Sequence, residues 1–570
     1  MARGSGRMDF HGGRLRIVDN TPDLILYHGN IITVDPDSPR AEAVAIKDGK
    51  FVAVGPNEAI LRLRGPATRV VDLQGRTCIP GINDPHNHML MSGHVLTEVQ
   101  LFHARSISDI QEAVAKAVAD APPGAWILGR GWDESLLREK RFPTRWDLDE
   151  VAPNNPVVLE RVWNMLVANS AALMAADIGR HTPDPDPTQL YSGRIDRDDL
   201  GEPTGVLRDR AKQLVYDAIP PRTDAEREAH LRIACREYNR WGITSIADPG
   251  LLPEGIHAYQ AVWRDGALSV RSSLCLAGWG SSMEPREELL ERRFSDVGLF
   301  TGFGNTELRI DTIKMMPDGG VGDRTAYMFE PYRDEPDNFG QYIVSPSDLV
   351  ARVQWCHEHG WSIDAHTCGD RMQEMVVEAY ANAYQQMPST SIRHRVHHAY
   401  FPTEKALELM REYRIAALPT IPFLYNLGES FVASIGEERA ARAMPLLTYL
   451  EAGVPIACGS DSPVTTYNPF IGIYSCVARK TVLGRDLGPE ERVSREEAIR
   501  LYTAAGAWVT FEEEIKGTVT PGKLADLVVL DRDILTVPEE ELKEIRPVAT
   551  FLGGRAVYVN EKAWADGALS

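Results

Sequence analysis

Two histidines one residue apart, His86 and His88 in Pro85-His86-Asn87-His88, follow the apolar segment Cys78 to Ile82. At a strand end an i, i+2 pair presents both side chains on the same side, and two neutral imidazoles there can grip one divalent metal. The ordinary alternative is a pair of surface or hydrogen-bonded histidines, so a metal site needs ligands from elsewhere. Three later apolar segments each end in a candidate: His366 in SIDAHTCGD, His398 in HRVHHAY and Asp461 in PIACGSDSP. Taken singly they also read as a satisfied core histidine, a member of a solvated cluster, and a helix N-cap before Ser462-Pro463. Three strands that all end in ligand-type residues are harder to dismiss together. Lys314 in RIDTIKMMPDGG lies in an apolar strand, where a lysine is costly unless paired or neutralised, although its long stem also lets it snorkel.

Other positions are candidates for contact with a substrate. Trp132 and Asp133, with Arg208, fall in the long stretch between 90 and 240 and can line a pocket, or else Trp132 is a core residue and Asp133 a cap. Asp318 follows Lys314 in a glycine-rich loop, as a partner behind the ligands or as a turn residue, and Arg324 and Tyr327 in DRTAYM are substrate-contact candidates. Cys368, two residues beyond His366, is read as a small packing residue and not as a ligand. The acids Glu512 to Glu514 read as a solvated helix face.

Residues so far apart in sequence meet only if a repeated unit brings them together. Candidate strands at 79–84, 157–161, 243–248, 269–276, 309–316, 362–366, 395–399, 415–420 and 455–460 alternate with helical stretches such as 224–240, 347–359, 370–386 and 403–413. The stretch from 90 to 240 is too long for one crossover, so strand 157–161 is assigned to an insertion. The other eight then form an α/β fold, a (β/α)8 TIM-like barrel whose carboxyl strand ends converge on one mouth. Residues 23–77 read instead as short strands with a hairpin turn at Asp48-Gly49, and a matching pattern returns at 525–530 and 548–559. The expected organisation is a disordered leader over 1–22, a composite β-sandwich from 23–77 and 515–560, and the barrel over 78–514 with an insertion at about 90–240.

The 570 residues carry a formal charge of −20 with 43% hydrophobic side chains, which excludes disorder, collagen and coiled coil as the main state. The acidic excess repels phosphate backbones and anionic lipid, so a small-molecule substrate is expected and neither nucleic acid nor membrane is a partner. Seven cysteines scattered singly argue against a disulfide framework, and the first twenty residues hold no apolar run of signal-peptide length. A cytoplasmic homodimer is the expectation.

The ligand-type positions, together with Gly129-Arg130-Gly131-Trp132-Asp133, Gly201-Glu202-Pro203-Thr204-Gly205, Gly459-Ser460-Asp461-Ser462-Pro463 and Pro521-Gly522-Lys523-Leu524-Ala525-Asp526-Leu527, resemble the amidohydrolase superfamily. The likeness runs from about 23 to 560 and is to the branch that contains N-substituted formamide deformylase. It implies a metal-dependent hydrolase barrel with a binuclear centre, two zinc ions per chain. His86, His88 and Asp461 would bind the buried metal, a carboxylated Lys314 would bridge, and His366 and His398 would bind the outer metal. It further implies cleavage of a non-peptide C–N bond, of amide or N-substituted formamide type, by metal-activated hydroxide, with Asp461 as the catalytic proton acceptor. Two positions depart from the family pattern. Asn164 stands five residues before Asn169-Ser170, where relatives tend to have histidine, and His397 stands where they tend to have glutamate before the ligand. Strand alternation is expected to aim His397 and His398 to opposite sides, leaving His398 as the ligand. The same fold also hosts deaminases, esterases and decarboxylases. A noncatalytic scaffold predicts lost ligands, whereas all six ligand positions are intact.

Overall fold

The apolar runs separated by helical stretches form one curled sheet of seven parallel strands, side by side in chain order. They are β1 (Ile82–Asp84), β2 (Ile243–Leu251), β3 (Arg271–Ala277), β4 (Leu308–Met315), β5 (Ser362–His366), β6 (Arg395–His398) and β7 (Ala416–Pro419). This computed structural model describes residues 21–134, 136–161, 165–185, 193–280 and 290–564. Residues 454–459 continue the sheet beyond β7: Ala417 N–H donates to Pro455 O at 2.9 Å, Ala457 N–H to Ala417 O at 3.1 Å and Gly459 N–H to Pro419 O at 3.2 Å. Parallel strands buried on both faces carry continuous apolar runs instead of alternation, and Ile243, Ile246, Leu274, Ile313, Ile363, Val396 and Leu418 are all buried.

The helices between strands are set by local signals. Helix Pro346–Glu358 starts where Ser345 accepts a hydrogen bond from Asp348 N–H, with Pro346 in the first turn, where its missing N–H costs nothing. Leu349, Val353 and Cys356, spaced four and three apart, form its buried stripe. Glu404–Tyr413 is capped in the same way by Thr403.

The chain divides into two compact units, one comprising residues up to Leu90 and from Leu231 onward, the other Met91–His230. Within the first, Leu24–Tyr27, Ala43–Lys47, Lys50–Gly55 and Arg69–Asp72 form a four-stranded sheet. A six-stranded sheet joins the two ends of the chain, because Leu527–Leu530 pairs antiparallel with Thr77–Pro80, which in turn runs parallel to Asn30–Ile32. Leu24, Leu26, Val44 and Ile46 of the first sheet meet Ile31, Leu527, Val529, Val548 and Phe551 of the second in one buried cluster. Ending the chain at residue 515 removes four of these side chains. At about 1.5–3 kcal/mol each, the loss is comparable with the whole stability of a domain, about 5–15 kcal/mol. The truncated chain is therefore expected in the insoluble fraction; a soluble truncation that retains a cooperative melt would contradict that dependence.

The second unit has its own six-stranded sheet, in which Val157–Glu160 lies between Ile127–Arg130 and Met165–Ala168. Its core holds Trp132, Leu148, Val157, Leu159 and Val167. No helix among the described residues is long and apolar enough to cross a membrane.

Candidate metal centre

The segment after β1 and the segment after residue 459 are stitched together by backbone and by one buried carboxylate. Asp461 N–H donates to His86 O at 2.7 Å and His88 N–H to Ser462 O at 2.9 Å. Asp84 accepts from Asn87 Nδ2 at 2.8 Å and from Ser460 N–H at 3.0 Å. The backbones lie so close that a Cβ on Gly459 would stand 2.8 Å from His86 Cβ, so only glycine fits there. Asn87 in turn accepts from the buried Tyr238 hydroxyl at 2.5 Å.

This stitching aims two imidazoles at one carboxylate oxygen: His86 Nε2 and His88 Nε2 lie 3.2 and 3.1 Å from Asp461 Oδ1. Donors arranged tetrahedrally about 2.1 Å from a zinc ion stand about 3.4 Å from one another, so the set has the spacing of a ligand shell. His88 Nδ1 faces Asp248 Oδ1 at 3.9 Å. Asp248, buried on β2, is itself held by Tyr259 Oη at 2.7 Å and Leu90 N–H at 3.1 Å.

His366 ends β5 and His398 ends β6, and their rings approach to 4.4 Å between centroids. One ligand atom each from His86, His398 and Asp461 lie within 4.8 Å of one another, and so do those from His366, Cys368 and His398. His398 therefore belongs to both groups. Lys314, buried on β4, places Nζ 3.1 Å from His397 Nδ1.

The structure overturns the expectation that His397 and His398 point to opposite sides. The rings of His397 and His398 lie 4.1 and 5.1 Å from that of His86, so both face the cluster. Alternation holds only while the backbone is extended, and His398 (φ 67°) and Ala399 (φ 48°) are left-handed. His397 is thus the last residue aimed by the pleat, and His398 is turned back by the chain leaving the strand.

Below these residues lies a polar layer that the sequence reading did not single out. Arg395, fully buried on β6, donates from Nη2 to Asp311 Oδ2 at 2.7 Å and from Nη2 to Asp364 Oδ2 at 3.2 Å, with a further bond from Nε to Asp364. Thr312 Oγ1 donates to Asp364 Oδ2 at 2.7 Å, and that oxygen stands 3.3 Å from His397 Nε2. The available signal was period two: Thr312, Asp364 and Arg395 each precede Lys314, His366 and His397 by two positions, so each pair shares a face of its strand.

Burial is the largest influence on the ionisation of these groups. It lowers His86 to about 4 against the opposing pull of Asp461, and lowers His366 to about 4 with the charge of Lys314 adding to it. It also holds His397 and His398 well below the usual imidazole range. These rings are therefore neutral near pH 7, the form that offers a lone pair to a metal. Burial pushes the Asp461 carboxyl up, but attraction to His86 and hydrogen bonds from His86 and His88 outweigh it, leaving Asp461 well below the ordinary range and ionised. Burial also pushes the Lys314 amine down, opposed by Asp461 and Asp364.

The remaining candidates fall in several places. Asp318 is fully buried and accepts from Gly369 N–H at 2.9 Å, Tyr327 N–H at 3.0 Å and Cys368 N–H at 3.3 Å, with His366 Nε2 at 3.6 Å. Burial pushes its carboxyl up to about 7 against those N–H groups. It thus ties the loop after β4 to the end of β5. Tyr327 lies in that loop with Arg371 stacked 4.5 Å over its ring, and Arg324 pairs with Glu335. Trp132 is fully buried in the core of the second unit, donating from Nε1 to Leu159 O at 2.9 Å. Asp133 faces Arg161 at 3.8 Å, and Arg208 is spent on Asp196 at 2.7 Å. Asn164 lies outside the described residues. Glu512 is no solvated acid, since it is buried and paired with Lys516 at 2.6 Å.

The sequence model of the amidohydrolase family matches residues 69–558. The protein YtcJ of Bacillus subtilis (strain 168) is 30% identical over 553 residues, covering 94% of this chain and 99% of that protein. The N-substituted formamide deformylase of Arthrobacter pascens is 28% identical over 550 residues, covering 94% of this chain and 98% of its own. Among solved structures, an uncharacterized metal-dependent hydrolase from Pyrococcus furiosus superposes with a TM-score of 0.72 at 26% identity, over 90% of this chain and 100% of that one.

Proposed function

The chain belongs to the amidohydrolase family, and on that premise we propose that it hydrolyses a non-peptide C–N bond in an amide or N-substituted formamide at a metal centre. The observation that carries this reading is the convergence of His86 Nε2 and His88 Nε2 on Asp461 Oδ1, with His366, His398 and Lys314 around it. In this reading residues 454–459 are the eighth strand of a closed (β/α)8 barrel, and the site lies at its carboxyl-end mouth. His86, His88 and Asp461 would hold one zinc ion and His366 and His398 a second, with Lys314, once carboxylated, as a shared ligand. The buried setting of Lys314 supports the last point, because a neutral amine is the form that adds carbon dioxide. The seven free cysteines, all buried, fit a reducing, cytoplasmic setting.

Divalent ions held there would supply Lewis acidity toward the carbonyl and lower the pKa of a bound water. Asp461, ionised and facing both histidines, takes the proton of the attacking water and delivers it to the departing nitrogen. His397 keeps Lys314 in place: its Nδ1 faces Nζ, while Asp364, fixed by Arg395 and Thr312, stands behind its Nε2. Asp318 locks the peptide after His366 and so fixes the direction of that ligand.

A panel of N-substituted formamides, acyl amides and esters tests the reading. Turnover of a formamide or amide, abolished by a chelator and restored by zinc, is the expected outcome. Turnover restricted to esters, or unaffected when chelation has stripped the metal, would contradict it.

A further inference from the structure

Cys368 lies two residues beyond His366, just before the helix Asp370–Gln386, and its side chain is buried. The residue is held at its backbone and at its thiol. The backbone N–H groups of Cys368 and Gly369 are fastened to Asp318 at 3.3 and 2.9 Å, and the thiol is hydrogen-bonded to the Tyr400 side chain, two residues beyond His398. The thiol thus stands between the ends of β5 and β6, with ligand atoms of His366, Cys368 and His398 all within 4.8 Å of one another. Cys368 also borders the apolar core, but on its other side it has two imidazoles, the part-buried His366 and the buried His398, within reach of a common ion. Two imidazoles and a thiolate are a donor set suited to zinc and other thiophilic ions, in contrast to the oxygen-rich shells that suit magnesium or manganese.

We infer that Cys368 is a ligand to the metal held by His366 and His398, so that the outer position carries a sulfur donor. The inference rests on the reading that the cluster binds metal. Ligation forms one sulfur–metal bond and breaks the S–H bond, whose proton leaves to solvent. The outer position then discriminates by softness, taking zinc, cobalt or cadmium in preference to manganese, whereas the His86, His88 and Asp461 position does so much less.

Replacing the native metal of the full-length protein with cobalt(II) reads this directly, because a thiolate bound to cobalt adds a near-ultraviolet charge-transfer band to the visible ligand-field bands. The wild-type protein is expected to show both. Cys368→Ser and Cys368→Ala are each expected to lose the charge-transfer band while at least one cobalt and its visible bands remain, with the circular dichroism spectrum unchanged. Visible bands in the wild type without a charge-transfer band would overturn the inference and leave the metal centre standing. A charge-transfer band that survives in both variants would also overturn it, by assigning the sulfur to another cysteine. Failure of the wild type to retain any cobalt would instead overturn the underlying metal reading.

Discussion

Asp461→Asn is expected to keep the fold and at least part of the bound metal while losing about 10²-fold or more in turnover, the scale of lost general acid–base assistance. The amide preserves size and one oxygen donor but cannot take up a proton near neutral pH. The backbone tolerates the change, since Asp461 has φ 53° and asparagine is among the few residues at ease in that left-handed region. The bond from its own N–H to His86 O, at 2.7 Å, is untouched. kcat measured alongside metal content checks the result: near wild-type turnover at full metal loading would remove Asp461 from the proton path.

Arg395→Met is expected to cost about 3–5 kcal/mol of stability, the scale of breaking a buried ion pair by removing one partner. The side chain is fully buried, and its loss leaves Asp311 and Asp364 facing each other without a cation. Burial already raises Asp311, whereas the charge of Arg395, with hydrogen bonding from His397 and Thr312, outweighs burial at Asp364 and holds it low. Without the arginine both carboxyls are driven toward protonation, and Asp364 no longer fixes His397 beneath Lys314. Urea unfolding followed by tryptophan fluorescence measures the effect. A shift worth less than about 1 kcal/mol would mean that the layer is solvated or rearranges freely.

The strand ends were legible because a parallel sheet buried on both faces leaves uninterrupted apolar runs, and His366, Lys314 and Asp461 stand out at or near their ends. The insertion showed itself as excess length and one strand, 157–161, which the structure has as Val157–Glu160. Its own six-stranded sheet mixes parallel and antiparallel neighbours, an order that no local pattern encodes. Trp132 followed the general burial tendency of large aromatics and not its neighbourhood in a glycine-rich motif. His397 was misjudged because alternation is a rule for extended backbone, and the left-handed turn at His398 is set by the chain's departure from β6 toward Tyr400. Asp364 and Arg395 were passed over because a charged residue inside an apolar run carries no mark of its partner, which here comes from a neighbouring strand. Cys368 was set aside on the ordinary behaviour of cysteine, and only the three-dimensional meeting of β5 and β6 brings its sulfur beside two imidazoles.

The most direct test of the central claim is anomalous diffraction at the zinc edge from crystals of the protein as purified. A peak is expected about 2.0–2.2 Å from His86 Nε2, His88 Nε2 and a carboxylate oxygen of Asp461, with a second peak beside His366 and His398. Well-ordered side chains at these positions with no anomalous density between them, in protein that is active, would contradict it.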